Sequence, residues 1–277
     1  MSKHDKIKIA ILILLWAVAF YPLYPELLRD WYGQSDNSHG FIVPFVAGYF
    51  AWERIKQLNS PTISSSWWGG LLLFLSLALY LLCYAGGLAF PARVAMVFSL
   101  FGLIWFTLGS EMIKILAFPV LFLLFMIPVP YSLLSLVSAP LQLIATKISA
   151  GIIGACYIPV FREGNMLYFV GTQLEVAEAC SGIRSIMSLL MIAFAFTGIR
   201  HGGWKNNAIL IASAVPIAMV ANIIRIAGTG VLANFYGDKV ARGFLHEFSG
   251  IAIFVFGFMA LLGVFTLTSR KKSADVK

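Results

Sequence analysis

Charge is what this sequence has least of. Of its 277 residues only 12% are Asp, Glu, Lys or Arg, whereas 60% are hydrophobic, and a soluble domain carries roughly twice that charged fraction. Long polar linkers, low-complexity tracts and a convincing internal repeat are also missing, which argues against tethered soluble domains and repeat architectures. The three cysteines contain no CxxC spacing, which argues against a structural zinc site or a dithiol redox motif. No HExxH and no GxSxG is present, so zinc-metalloprotease and nucleophile-elbow chemistry lack their signatures. The first apolar run, from about Ile7 to Tyr24, is followed by no small-residue cleavage site. It is expected to remain in place as a span.

What is present instead is apolar length. Stretches of about 18 residues recur along the chain, as a bilayer core of ~30 Å requires of a helix, and they are apolar all round rather than on one face. The expected architecture is an all-α polytopic membrane protein with about eight transmembrane helices. These run 7–25, 40–53, 67–89, 93–109, 113–130, 182–199, 206–232 and 247–268, in a single integral membrane domain over 1–277. The second is short and holds Pro44; the seventh is long, and its outer end is expected to leave the hydrocarbon before residue 232.

Segment 131–154 decides the topology. Ser135, Ser138, Gln142, Thr146 and Ser149 fall three or four apart as one polar stripe, opposite Leu133, Leu136, Val137, Leu141 and Ile144. That pattern suits an interfacial amphipathic helix; the alternative is a true span with its stripe turned inward. With eight spans, 12 of the 20 basic residues but 4 of the 12 acidic ones fall on the side of both termini. This bias makes that side, with His4 and His201, cytoplasmic. The net charge of +8 thus sits at the ends of apolar runs as topology signals do, and no basic face points to nucleic acid.

Residues 155–181 form the extended, soluble-looking part. Tyr157–Phe161, a turn through Arg162, Glu163, Gly164 and Asn165, and Met166–Val170 read as an extracytoplasmic β-hairpin. A third extended piece, Gln173–Ala177, leads to Cys180.

Cys180 precedes Ser181, a candidate N-cap for the sixth span. A thiol at a helix N-terminus is shifted toward thiolate, and Arg184 four residues on adds a cation on the same helical face. The plain alternative is a small apolar filler. Arg225 lies in an otherwise apolar helix with Asn222 three residues before it; intramembrane ionisable residues are functional candidates, or they snorkel to the interface. His246 opens the last span and is a candidate proton shuttle, with His39 in reserve. Glu178 either orients His246 or Arg184 or is a solvated carboxylate; Asp36, Asp238 and Glu247 read as loop charges. Cys83 is expected to be buried and inert. Pairing of Cys156 with Cys180 in an oxidising compartment would silence the thiol.

Three elements carry a resemblance. Residues 178–185 (Glu-Ala-Cys-Ser-Gly-Ile-Arg-Ser), 222–225 (Asn-Ile-Ile-Arg) and 245–250 (Leu-His-Glu-Phe-Ser-Gly) resemble, in order and spacing, the hallmark motifs of the exosortase/archaeosortase family. Residues 38–44, from Ser38 to Pro44, are similar to that family's N-terminal region. The resemblance implies a membrane-embedded cysteine transpeptidase or protease with Cys180, Arg225 and His246 as its catalytic triad. Asn222, Arg184, Ser181 and Glu178 would support the triad, and no cofactor or metal is implied. It further implies a place in the cytoplasmic membrane with the site on the extracytoplasmic face. The implied partners are exported proteins ending in a Pro-Glu-Pro-like motif, a transmembrane helix and a basic tail, together with an acceptor that is water, a lipid or a glycan.

Two other classes stay open on the residues alone. One is a small transporter or channel with an anion site at Arg225 and Asn222, although transporter sites usually lie at the midplane between repeats. The other is a different cysteine-dependent membrane acyltransferase.

Overall fold

The computed structural model describes residues 3–57, 64–176, 182–200, 203–237 and 244–274. The chain divides into two compact units, Met1–Pro130 and Tyr131–Lys277. The division falls at Pro128, Val129 and Pro130, a run that lacks two backbone donors and keeps the residue before each proline out of helical geometry.

The first unit holds α1 (Lys3–Ala19), α2 (Tyr24–Gly33), α3 (Val43–Lys56), α4 (Trp67–Ala85), α5 (Ala89–Leu108) and α6 (Ser110–Phe122). α4 and α5 lie where spans were expected, and both are long and apolar enough to cross. Their backbones touch: a Cβ on Gly102 would lie 2.6 Å from the Leu73 backbone nitrogen, so glycine sets this approach as small residues do between membrane helices. The buried Arg93 of α5 (4% exposed) binds Asp30 of α2 at 2.6 Å and faces Glu26 at 3.7 Å. An ionisable group at this depth needs such partners, and here it ties α5 to α2.

The second unit holds α7 (Tyr131–Ala155), three short strands, α8 (Ile183–Ile199), α9 (Trp204–Tyr236) and α10 (Phe244–Ala274). The strands β1 (Phe161–Glu163), β2 (Met166–Tyr168) and β3 (Gln173–Glu175) form one antiparallel sheet in chain order, with Glu163 opposite Met166 and Met166 opposite Glu175. The expected hairpin and the third extended piece are therefore present, with β1 beginning at Phe161 rather than Tyr157. Gly164, at φ +59°, opens the two-residue turn, the position a type II′ hairpin reserves for glycine. Leu167, Leu174 and Val176 on one face of the sheet pack with Ile153 of α7 and Ile223 and Ile226 of α9. A second cluster joins α8, α9 and α10 through Leu189, Ala193, Leu210, Ala214, Ala218 and Leu261.

Two expectations change. Among the described residues five helices are long and apolar enough to cross a membrane, or six if a bent pair counts as one, rather than eight. The bent pair is the first span: Ala10–Ala19 and Tyr21–Gly33 meet at 50° across a turn containing Pro22. Where the second and fifth spans were expected, α3 has 14 residues and α6 has 13. At 1.5 Å per residue these reach about 21 Å or less, short of a ~30 Å core. α8, in place of the sixth, has 17.

The second change concerns α7. Its polar stripe is inside: Ser138, Gln142, Thr146 and Ser149 are buried, whereas Leu133, Leu136, Val137 and Ile144 are exposed. The stripe therefore meets protein rather than water, and α7, with 25 residues and mean hydropathy 1.5, is one of the five helices able to cross by length and composition.

Candidate active site

The best-defined part of the site is built on α9. This helix has 33 residues, about 50 Å, so it outruns a ~30 Å hydrocarbon layer as the sequence suggested for its outer end. Arg225 lies 21 residues beyond Trp204, about 32 Å along the axis. That is one hydrocarbon thickness from a tryptophan of the kind that marks an interface. Arg225 Nη2 donates to Asn222 Oδ1 at 2.9 Å, one turn back, and Asn222 is almost fully buried at 1% exposure. The amide therefore holds one arm of the guanidinium and fixes its plane.

Cys180, Ser181 and Glu178 lie outside the described residues, but both ends of their loop are described. The entrance is Val176, the last residue before it. Gln142 Nε2 of α7 and Asn165 Nδ2 of the hairpin turn both donate to the Val176 carbonyl, Asn165 at 3.3 Å, and the Val176 N–H donates to the Asn165 carbonyl at 3.0 Å. The exit is Gly182, at φ +81°. A Cβ there would sit 3.2 Å from the Asn222 side chain, so the chain leaves the loop in contact with the amide that holds Arg225. Two residues span at most about 7 Å, which limits how far Cys180 can lie from Gly182. Ser149 of α7 donates to the Ile223 carbonyl at 3.1 Å, tying α7 to the same turn of α9.

α8 begins at Ile183 with Gly182, not Ser181, as its N-cap. The left-handed backbone at Gly182 costs an ordinary residue strain that glycine avoids, and it starts the helix one residue later than expected. Cys180 thus stands three residues before the first helical residue in the sequence, and its expected relation with Arg184 lies outside the described residues. Arg184 is an exposed residue of the first turn. The N-terminus of α8 carries the positive end of the helix dipole at this point of the chain.

His246 lies in the first turn of α10, and its side chain is outside the description. Its axial level follows from the antiparallel register of α9 and α10. Asn206 Nδ2 donates to the Thr268 carbonyl at 3.1 Å; eleven residues further on, a Cβ on Gly257 would lie 3.8 Å from Ile217. Another eleven residues along each helix bring His246 level with Gly228, about 4.5 Å along the axis from Arg225.

His39 lies in the first unit, in a 3-10 turn over Ser35–Phe41. Cys156 is an exposed thiol and Cys83 a buried one. Gln142 and Asn165 were not singled out as site residues. Gln142 was visible only as one member of the stripe and Asn165 only as a turn residue.

Removing both amides orphans the Val176 carbonyl. The Gln142→Leu/Asn165→Leu variant is expected to lose about 1–3 kcal/mol, the cost of an unsatisfied buried acceptor. The midpoint of thermal unfolding in detergent should fall accordingly, with Gln142→Leu alone losing less because Asn165 remains.

The family model for transmembrane exosortases matches residues 31–263, most of the chain, with Cys180, Asn222, Arg225 and His246 inside the match. Comparison with curated proteins and with solved structures finds no match. On the span of that match, which takes in the cysteine loop, the Asn222–Arg225 turn and the start of α10, the chain belongs to the transmembrane exosortase family.

Proposed function

We propose that this multi-pass membrane protein is a cysteine transpeptidase or endopeptidase with Cys180 as nucleophile, Arg225 as electrophilic partner and His246 as acid and base. The observation that carries the reading is the contact of Gly182 with Asn222, which itself holds Arg225. The loop bearing the thiol thereby ends on the residue that orients the guanidinium. The axial level of His246 supports the same grouping.

In the proposed reaction the Cys180 thiolate attacks the scissile carbonyl carbon of a C-terminal sorting signal. The guanidinium of Arg225 stabilises the negative charge that develops on the carbonyl oxygen. The C–N bond then breaks, the leaving amine takes a proton from His246, and a thioester to Cys180 remains. The incoming acceptor loses its proton to His246, attacks the thioester carbonyl and releases the Cys180 thiolate, which restores the starting state. The substrates are exported proteins with a Pro-Glu-Pro-like motif, a transmembrane helix and a basic tail. The reaction takes place at the extracytoplasmic face of the cytoplasmic membrane, with both termini of the enzyme cytoplasmic.

The test is co-expression with an exported reporter carrying such a tripartite signal, read by blot as loss of the C-terminal piece. Wild type is expected to process it, and His246→Ala to fall by about 100- to 10,000-fold, the usual worth of general acid–base catalysis. Undiminished processing by His246→Ala would remove it from the mechanism and bring His39 forward.

A further inference from the structure

The first unit contains an open groove of 590 Å³ bordered by α1, α3, α5 and α6, within the ~300–1,000 Å³ typical of small-molecule sites. Its walls are hydrocarbon: Leu12, Ala47, Gly48, Leu103, Leu116 and Val120 are among them. The two lining residues that carry polar hydrogens have already used them. Trp16 Nε1 donates to Ser99 Oγ at 2.8 Å and Thr107 Oγ1 to the Leu103 carbonyl at 2.7 Å. An occupant of this groove therefore finds dispersion contacts and no hydrogen-bonding partner.

The groove has a direction. Along α3 it is lined from Pro44 to Ile55, eleven residues or about 16 Å, which is close to half of a ~30 Å hydrocarbon core. At the Ile55 end it meets basic residues. Arg54 and Lys56 flank Ile55, and Arg54 Nη1 reaches the Ile115 carbonyl of α6 at 3.2 Å, next to Lys114. Among the described residues none of these three cations has a carboxylate partner within ion-pair distance, and the buried Arg54 Nε has no hydrogen-bond partner. Lys56 and Arg54 rest on the rings of Trp52 and Phe118 at 3.5 and 4.7 Å, which holds them at the mouth. Burial also holds the Arg54 guanidinium below its ordinary pKa, with Glu53 opposing the shift.

We infer that this groove binds one anionic phospholipid, an acyl chain lying along α3 from Ile55 toward Pro44 and the phosphate held by Arg54 with Lys56 and Lys114. The length matches one leaflet, the walls match hydrocarbon, and the three cations at one end match a phosphate. A substrate's transmembrane helix is the competing occupant, but a helix about 10 Å across would need both leaflets' depth and makes no use of a cationic end.

The experiment uses the full-length protein in nanodiscs made with equal phosphatidylglycerol and phosphatidylcholine, released into the gas phase and weighed with its retained lipid. Wild type is expected to retain phosphatidylglycerol in preference to phosphatidylcholine, and Arg54→Gln to reduce that preference about fivefold, since glutamine can still donate to Ile115. Gly48→Phe fills the groove, and a Cβ there meets nothing within 4 Å, so it should fold normally and retain less of both lipids. Ala51→Leu, a milder filling, serves if the larger ring lowers the melting temperature. Equal retention of the two lipids by wild type would overturn the assignment. So would filled variants that keep their lipid yet lose reporter processing, which would give the groove to the substrate's helix. The inference stands apart from the cysteine mechanism: lipid retention is read without any turnover.

Discussion

Cys180→Ser is expected to reach the membrane at wild-type abundance and to leave the sorting-signal reporter uncut. A serine hydroxyl is almost wholly un-ionised at neutral pH, whereas a cysteine starts near pKa ~8.5 and falls further beside a helix N-terminus or a cation. In this chain the N-terminus is that of α8, opening at Ile183 behind Gly182. Loss of a nucleophile typically costs on the order of 10⁶-fold in turnover, well beyond what a blot can detect. The check is the ratio of processed to unprocessed reporter, normalised to enzyme, with Cys156→Ser as a control that should process normally. Cys156 is exposed and lies at the end of α7, before the sheet. Processing by Cys180→Ser at even a tenth of wild-type rate would end the cysteine mechanism.

The second large effect is at Arg225. Its guanidinium gives one arm to Asn222, and the planar fork of an arginine suits it to hold such a partner and a substrate oxygen in one plane. Lysine supplies the charge but cannot hold Asn222 and an oxyanion in one fixed plane. Removing one oxyanion donor costs about 100- to 1,000-fold, so Arg225→Lys is expected to lose most processing and Arg225→Ala essentially all. A snorkelling arginine, by contrast, needs only its charge. Near wild-type processing by Arg225→Lys at equal abundance would therefore reduce it to a topological anchor. Asn222→Ala should follow Arg225→Lys in direction, because the guanidinium loses its orienting partner.

The candidate site was named from the residues. A lone cysteine ahead of an apolar helix, an arginine inside another and a histidine at the start of a third are visible without coordinates. The hairpin was legible too, since Gly164 and Asn165 between two β-rich runs admit few other turns. Less legible was the start of α8. Ser181 and Gly182 are both acceptable N-caps, and the choice went to the one whose missing Cβ lets the chain touch Asn222.

The three motifs stood out by resemblance to a family, and membership of the membrane class was written in composition, because burying charge in lipid is costly wherever it falls. The direction of α7's stripe was not. In water an apolar face must turn inward, but in a bilayer lipid covers it equally well, so periodicity shows the stripe without showing which side meets protein. Packing chose inward, where Gln142 and Ser149 answer carbonyls at Val176 and Ile223. The number of crossing helices was open for a related reason: hydropathy is blind to the breaks that leave α3 and α6 short. The grouping of Gly182, Arg225 and the start of α10 at one level rests on an antiparallel register between helices far apart in the chain. That register is set by contacts such as Asn206 to Thr268, and no local pattern encodes it.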